Sequence, residues 1–591
     1  MVDGPTSART ESGGFAPGDG GLVGRWLFIR GLGLVYLFAF GSLWSQLSGL
    51  IGTEGIAPAD LYLGLLEKHV AQSDALSWWQ FPTLSWFLGA DETTLHILAA
   101  AGCALSIGLV AGVLPRVVLA GLWAIYLSFF TIASPFLNYQ WDILLLEVGA
   151  IAVFYAPGGV FPSLRDERAP SVVATWLLRI VLFKLIWSSG MVKLNSNDPS
   201  WQDLTALDYH YWTQPIPHQL AWYAHNASDL ARQAGVVMNH FVELFIPWLI
   251  LFTPRRWFMV AWFAISGLCL TLGLGDLSLL YSLISGIAAL ILSRLGAHDE
   301  PKDIERAIPA IFVIILMISV GATGNYGFFN LLTIVLAFVC LGDRLLYRVT
   351  PTSLLPRLPD VSSPVPKERV YWRGIVIAAA LVLVPLNGLR LVQLTSSGSL
   401  RSAKAAVEQG SDAWSDRALS KVTEAQALSR SYLGGYALVN GYGLFARMTK
   451  ERFELIVEGS HDQEEWRAYR FQYKPDTTSD LNFAGLHMPR LDWQMWFAAL
   501  YPKCSRPWFF KFMDSLLEGS KSVHGLLENN PFPNGPPTYL RVRRVSATFS
   551  ADTEGETEPG PWVFREASDY CPVVSRQNLP RSASGRRRAD R

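Results

Sequence analysis

A chain of 591 residues that is 50% hydrophobic and only 17% charged departs from soluble globular composition, in which about 25% of residues are charged. The net charge is zero, so nothing global points to a nucleic-acid partner. The apolar residues are gathered into runs, which excludes a string of soluble domains and predicts a polytopic α-helical membrane protein. Arg outnumbers Lys 37 to 12, a bias that hints at a GC-rich, bacterial genome.

Residues 1–23 show no basic stretch leading into an apolar core, so they are expected to be a disordered cytoplasmic lead-in rather than a cleavable signal. A spanning helix needs about 20 mostly apolar residues. Spans are expected near 24–50, 93–114, 117–133, 138–156, 172–192, 235–252, 257–273, 276–293, 307–321, 326–343 and 374–391. Together they make a domain of about eleven helices over 24–391. The loops predicted on one side carry Arg116, Arg165, Arg168, Arg255, Arg256, Arg294, Arg344, Arg348 and Arg369, whereas the opposite loops hold Lys68, Lys193 and Arg232. The positive-inside rule then sets the N-terminus in the cytoplasm and everything after the last span on the far side.

Two far-side loops stand out. Loop 52–92 contains "LSWWQFPTLSWF", whose aromatic residues suit a helix lying in the membrane interface. Loop 193–234 begins "KLNSNDPSWQDLTALDYHYWTQPIPHQLAWYAH", dense in aromatic, Asp and His residues. Residues 392–430 are expected to be a helical surface connector. Over 431–575 the segments "RFELIVEGS", "WRAYRFQYK", "TYLRVRRVSATFS" and "PWVFREA" have strand character. "LDWQMWFAALYP" and "PWFFKFMDSLLEG" predict helices, with Pro507 at the first helical position and Gly519 at the C-cap. An exported α+β, β-rich domain follows, ending in a basic, disordered tail at 576–591. Cys504 and Cys571 fall in this region, where a disulfide is permitted.

Charged residues inside spans are functional candidates by default. Glu147, Lys184 and Glu243 fall at similar depth, counted at ~1.5 Å per residue from the outer end of each span. Two readings stay open: a reactive polar site reached from outside, or a buried ion pair that fixes helix packing. In the following loop, Asp208 and His210, with Asp203, are candidates for acid/base work, or the acids cap short helices. His240 lies three residues from Glu243 on one helix face, but no second such pair completes a metal site, and the loop spacings match no zinc signature. No P-loop, dinucleotide fingerprint, serine elbow or CxxC is present, so no cofactor is implied.

Several long motifs in order resemble the lipase maturation factor family. They are "SGMVKLNSNDPSWQDLTALDYHYWTQPIPHQLAWYAH", "TGNYGFFNLLTIVLAF", "RFELIVEGSHDQEEWRAYRFQYKPD", "RLDWQMWFAAL" and "NNPFPNGPPTYLRVRR". The resemblance runs from about residue 25 to 570. It implies a multi-pass membrane factor whose exported domain meets client proteins. Animal members help dimeric lipases fold and assemble at the ER membrane. Membrane lipids, and client lipases or other exported proteins, are the partners implied. Trp466, Trp493, Trp496 and Phe497 are candidate apolar contacts for a client, although most of them are expected to be core. The membrane part is also distantly similar to the vitamin K-dependent carboxylase type, which implies an alternative: a membrane enzyme using Lys184, Glu147 and Glu243 with Asp208 or His210. The family brings no catalytic residues to carry over.

Overall fold

The apolar runs fold as helices whose ends are tied by identifiable caps. The computed structural model describes residues 21–73, 76–164, 167–251, 302–350, 366, 368–408, 413–477, 480–550 and 560–579. The lead-in before residue 21, the spans expected at 257–273 and 276–293, and the tail from 580 lie outside the described residues. Helix α1 is Leu22–Trp44. Its first N–H groups, at Leu22, Val23 and Gly24, donate to the carboxylate of Asp343 at 2.8, 2.9 and 3.3 Å. A distant side chain thus satisfies the orphan donors of the helix start. After the amphipathic α2 (Ala59–Ala71) come α3 (Glu92–Ala111), α4 (Pro115–Ile132), α5 (Gln140–Tyr155) and α6 (Val172–Leu194). Asp91 caps α3, with Pro115 in the first turn of α4. Tight packing of α1 on α5 needs Gly149, because a Cβ there would lie 2.0 Å from the Tyr36 hydroxyl.

The loop after α6 carries a short helix, α7 (Ala206–Thr213), and leads into α8 (Asp229–His240). This helix continues through a π-helical turn, Phe241–Phe245, into Ile246–Leu251. Helices α9 (Lys302–Gly321) and α10 (Phe329–Ala337) follow. Helix α11 (Val370–Glu408) is 39 residues long, about 58 Å at the usual rise. It packs back against α12 (Trp414–Leu433) as a helical hairpin. Among the described residues six helices are long and apolar enough to cross a membrane. The chain is therefore a multi-pass membrane protein.

The C-terminal region holds a four-stranded antiparallel sheet in the order β2-β1-β3-β4. Its strands are β1 (Arg452–Ser460), β2 (Arg467–Tyr469), β3 (Tyr539–Phe549) and β4 (Trp562–Val574). The alternation of β3 buries Leu540, Val542, Ala547 and Phe549, as a strand with one core face requires. Helices α13 (Arg490–Ala499) and α14 (Pro507–Glu518) cover that face, and Gly519 ends α14 at φ 73°. A disulfide joins Cys504 to Cys571 with Cα atoms 5.3 Å apart, tying the turn before α14 to β4. One continuous apolar core runs from the bundle into this domain, from Phe28 and Tyr126 through Trp141 to Trp493 and Phe512.

Candidate functional site

The charged candidates within the helices, Glu147, Lys184 and Glu243, lie towards the end of the bundle that meets the C-terminal domain. Lys184 and Glu147 are fully buried and ion-paired. Lys184 also donates to Asn387 Oδ1 of α11 at 2.6 Å. The second carboxylate oxygen of Glu147 accepts from the Tyr442 hydroxyl at 2.6 Å, and from Asn440 through its backbone N–H at 3.1 Å and its side chain at 3.2 Å. The segment "NGYG" at 440–443 supplies these donors. It approaches α6 closely because Gly443 has no side chain; a Cβ would sit 2.6 Å from Val192. Four donors saturate Glu147. A buried ion pair offsets its desolvation only with such additional hydrogen bonds, and a carboxylate with its lone pairs occupied is a joint rather than a base. That occupancy disfavours the enzymatic alternative.

Glu243 does not join this pair. Its carboxylate accepts from Lys193 at 2.7 Å on both oxygens and from Asn239 at 3.1 Å. Lys193, expected in the outer loop, is instead in the last turn of α6 and buried. The reason is angular. Nine residues of α-helix turn through about 900°, so Lys193 faces opposite to Lys184. One lysine looks to α5 and α11, the other to the π-helical turn that carries Glu243. Trp201 lies under Lys193 at 5.1 Å and edge-on to His240. Among the described residues no cluster of three or more His, Cys, Asp or Glu could hold a metal ion.

Asp208 and His210 do not assemble with either pair. Asp208 binds Arg232 at 2.5 Å, and the same guanidinium donates to the carbonyls of His225 and Ala227. This carboxylate fastens the start of α8 to α7. His210 packs edge-on against Phe445, with the Tyr326 hydroxyl 3.4 Å from its Nε2. Burial, helped by the charge of Lys193, pushes its pKa down to about 4, so the ring is neutral at ordinary pH. Asp203 is exposed at the surface.

The loop is strapped down instead of forming a free lid. Arg452 of β1 donates to the carbonyls of Trp212, Gln214 and Pro215 and to Glu454. The first of these carbonyls is an orphan acceptor at the end of α7, where a cation is favoured. Met448 N–H donates to Asp198 at 2.5 Å, and Trp201 Nε1 to Phe445 O at 3.1 Å.

A further joint, absent from the sequence candidates, is Arg490 with Asp142. Both side chains are fully buried. The guanidinium donates to both Asp142 oxygens, at 2.9 and 3.1 Å, and to Phe136 O at 2.6 Å. Asp142 also accepts from the Tyr126 hydroxyl at 2.6 Å. Beside it Ser42 and Gln46 of the α1 end hold the backbone of Met488 and Arg490. A visible signal was a second charge, Asp142, within the run at 138–156.

Three of the four expected client contacts face inward. Trp493 and Trp496 are buried, donating to Asn325 O and Thr213 O. Phe497 stacks on Tyr139. That most of these aromatic residues are core agrees with the expectation from sequence. Wedged between sheet and bundle, α13 is covered nearly all round. Trp466 is partly exposed, beneath Arg541 at 4.3 Å.

Comparison with known proteins adds to this geometry. Residues 23–294 match the model of the lipase maturation factor transmembrane domain, and residues 438–572 that of the lipase maturation factor C-terminal domain. Human lipase maturation factor 2 is 32% identical, the match covering 94% of this chain and 83% of the relative. The Xenopus laevis lipase maturation factor 2 is 30% identical over 93% of this chain and 82% of its own. Lipase maturation factor 1 of Bos taurus is 28% identical over 94% and 89%. No solved structure matches the chain.

Proposed function

This chain belongs to the lipase maturation factor family, and we propose that it is a membrane-embedded maturation or assembly factor for lipases or other exported proteins. The observation that carries the reading is the match of both parts of the chain, bundle and C-terminal domain, to relatives named for that role. The fixed attachment of the domain to the bundle supports it: a client would meet one rigid surface held beside the membrane. For that surface we assign Trp466 together with Phe483 and Tyr501, which are 69% and 46% exposed.

We place the N-terminus in the cytoplasm and the C-terminal domain on the far side, in the periplasm of a bacterium or the lumen of a eukaryotic ER. The bias of Arg and Lys among the loops supports this orientation. A disulfide in the C-terminal domain suits an oxidising compartment. Bilayer lipids are the partners of the apolar bundle surface.

The test is deletion of the gene, followed by measuring the active fraction of each secreted lipase and hydrolase against its antigen level. Loss of activity per molecule is expected for at least one, restored by the wild-type chain and poorly by Trp466→Ala with Phe483→Ala. An unchanged active fraction for every exported hydrolase would refute the proposal.

A further inference from the structure

The end of the bundle remote from the C-terminal domain contains a cavity of about 640 Å³ between the starts of α4 and α11 and the turn after α5. Ligand sites commonly span ~300–1,000 Å³. Among the described residues four arginines line it, Arg25, Arg116, Arg168 and Arg369, against two carboxylates, Glu167 and Glu368. Arg25 is matched by Glu167 at 2.6 Å, so the remaining charge is positive. Arg116 lies flat on Trp372 at 3.7 Å and gives its Nε–H to Ala156 O at 2.9 Å. Its Nη1 end runs beside Gly158, where an added Cβ would come within 3.2 Å. Arg369 donates to the Tyr371 hydroxyl at 3.2 Å.

The mouth of this basic cavity is apolar. Val117, Val160 and Phe161, all on its rim, are 65%, 56% and 72% exposed. Guanidinium groups match a phosphate with paired N–H donors. A soluble phosphate has no use for an apolar rim, whereas a phospholipid presents both parts at once. We propose that this cavity binds the headgroup of an anionic phospholipid from the adjoining leaflet, with the acyl chains lying along Val117 and Val160. The site rests on the membrane-spanning character of the helices and is independent of any lipase client, so either proposal can fail alone.

Native mass spectrometry of the full chain, released from micelles containing dioleoyl phosphatidylglycerol or dioleoyl phosphatidylcholine, tests it. Retention of phosphatidylglycerol at least about tenfold above phosphatidylcholine is expected, falling about fivefold with each of Arg116→Gln and Arg369→Gln. Arg369→Gln is the safeguard, since Arg369 is an exposed rim residue with little part in packing. The remote Lys421→Gln should change nothing. Equal retention of the two lipids, or undiminished retention by the Arg116→Gln, Arg369→Gln double variant, overturns the proposal. So does an equal loss with Lys421→Gln, which would mark diffuse attraction. Displacement of the lipid by millimolar inorganic phosphate would make this a free-phosphate site and overturn the lipid assignment.

Discussion

Replacing Arg490 with leucine tests whether the C-terminal domain is held to the bundle by charge. In Arg490→Leu, the Asp142 carboxylate stays fully buried and keeps only the Tyr126 hydroxyl and Tyr139 N–H as donors. Breaking one side of such a pair costs about 3–5 kcal/mol. The cost falls on the docked state, because an undocked domain lets water reach Asp142. One power of ten in an equilibrium corresponds to about 1.4 kcal/mol. Amide protection across Arg490–Ala499 should therefore drop by roughly two to four powers of ten. Hydrogen exchange with mass spectrometry in detergent micelles reads this directly. The double variant Asp142→Leu, Arg490→Leu supplies the control, since apolar replacement of a whole buried pair is often close to neutral. It should recover most of the protection, less about 1 kcal/mol for each donor left without its acceptor. A drop below tenfold in Arg490→Leu, or a double variant as exposed as the single, would refute a charge-locked joint.

Two further outcomes follow from the same seam and from the sheet domain. Lys184→Met leaves Glu147 charged and buried, so it should lower the yield of monodisperse protein in size-exclusion chromatography, with a destabilisation of about 3–5 kcal/mol. Adding Glu147→Leu should restore most of that yield; no recovery would argue that the pair does more than hold helices. In the C-terminal domain, burial and the neighbouring Asp480 push the Asp476 carboxyl up to about 7. The folded domain then keeps a proton that the unfolded chain releases near pH 4, so stability falls as pH rises from about 4 to 7, by at most about 4 kcal/mol. Asp476→Asn should flatten that slope in thermal unfolding followed by near-UV circular dichroism, and an unchanged slope would show that another group titrates.

Much of the architecture was legible because it rests on local patterns. The apolar runs announce membrane helices, and the alternation in "TYLRVRRVSATFS" and "RFELIVEGS" announces β3 and β1. Pro507 and Gly519 bracket α14 as their backbone preferences require. The candidate site was only half legible. Counting residues along a span gives depth but not azimuth, so Glu243 was set beside Lys184 when its partner is Lys193 on the opposite face. The pairing of Arg490 with Asp142 joins residues 348 apart, and no local pattern encodes it. The aromatic residues of α13 read as mostly core from their apolar character, but amphipathicity does not reveal that sheet and bundle cover the helix from two sides.

The attachment also has a consequence for how the molecule is made. Ser42, Gln46 and Asp142 leave the ribosome long before the residues that satisfy them; Ser42 precedes Met488 by 446 residues. At roughly 5–20 residues per second, Asp142 waits some tens of seconds for Arg490. Through that interval the bundle carries an acid whose arginine has not yet been made. A chain interrupted anywhere before residue 490 would keep that flaw permanently, and would look unfinished to the machinery that disposes of incomplete membrane proteins.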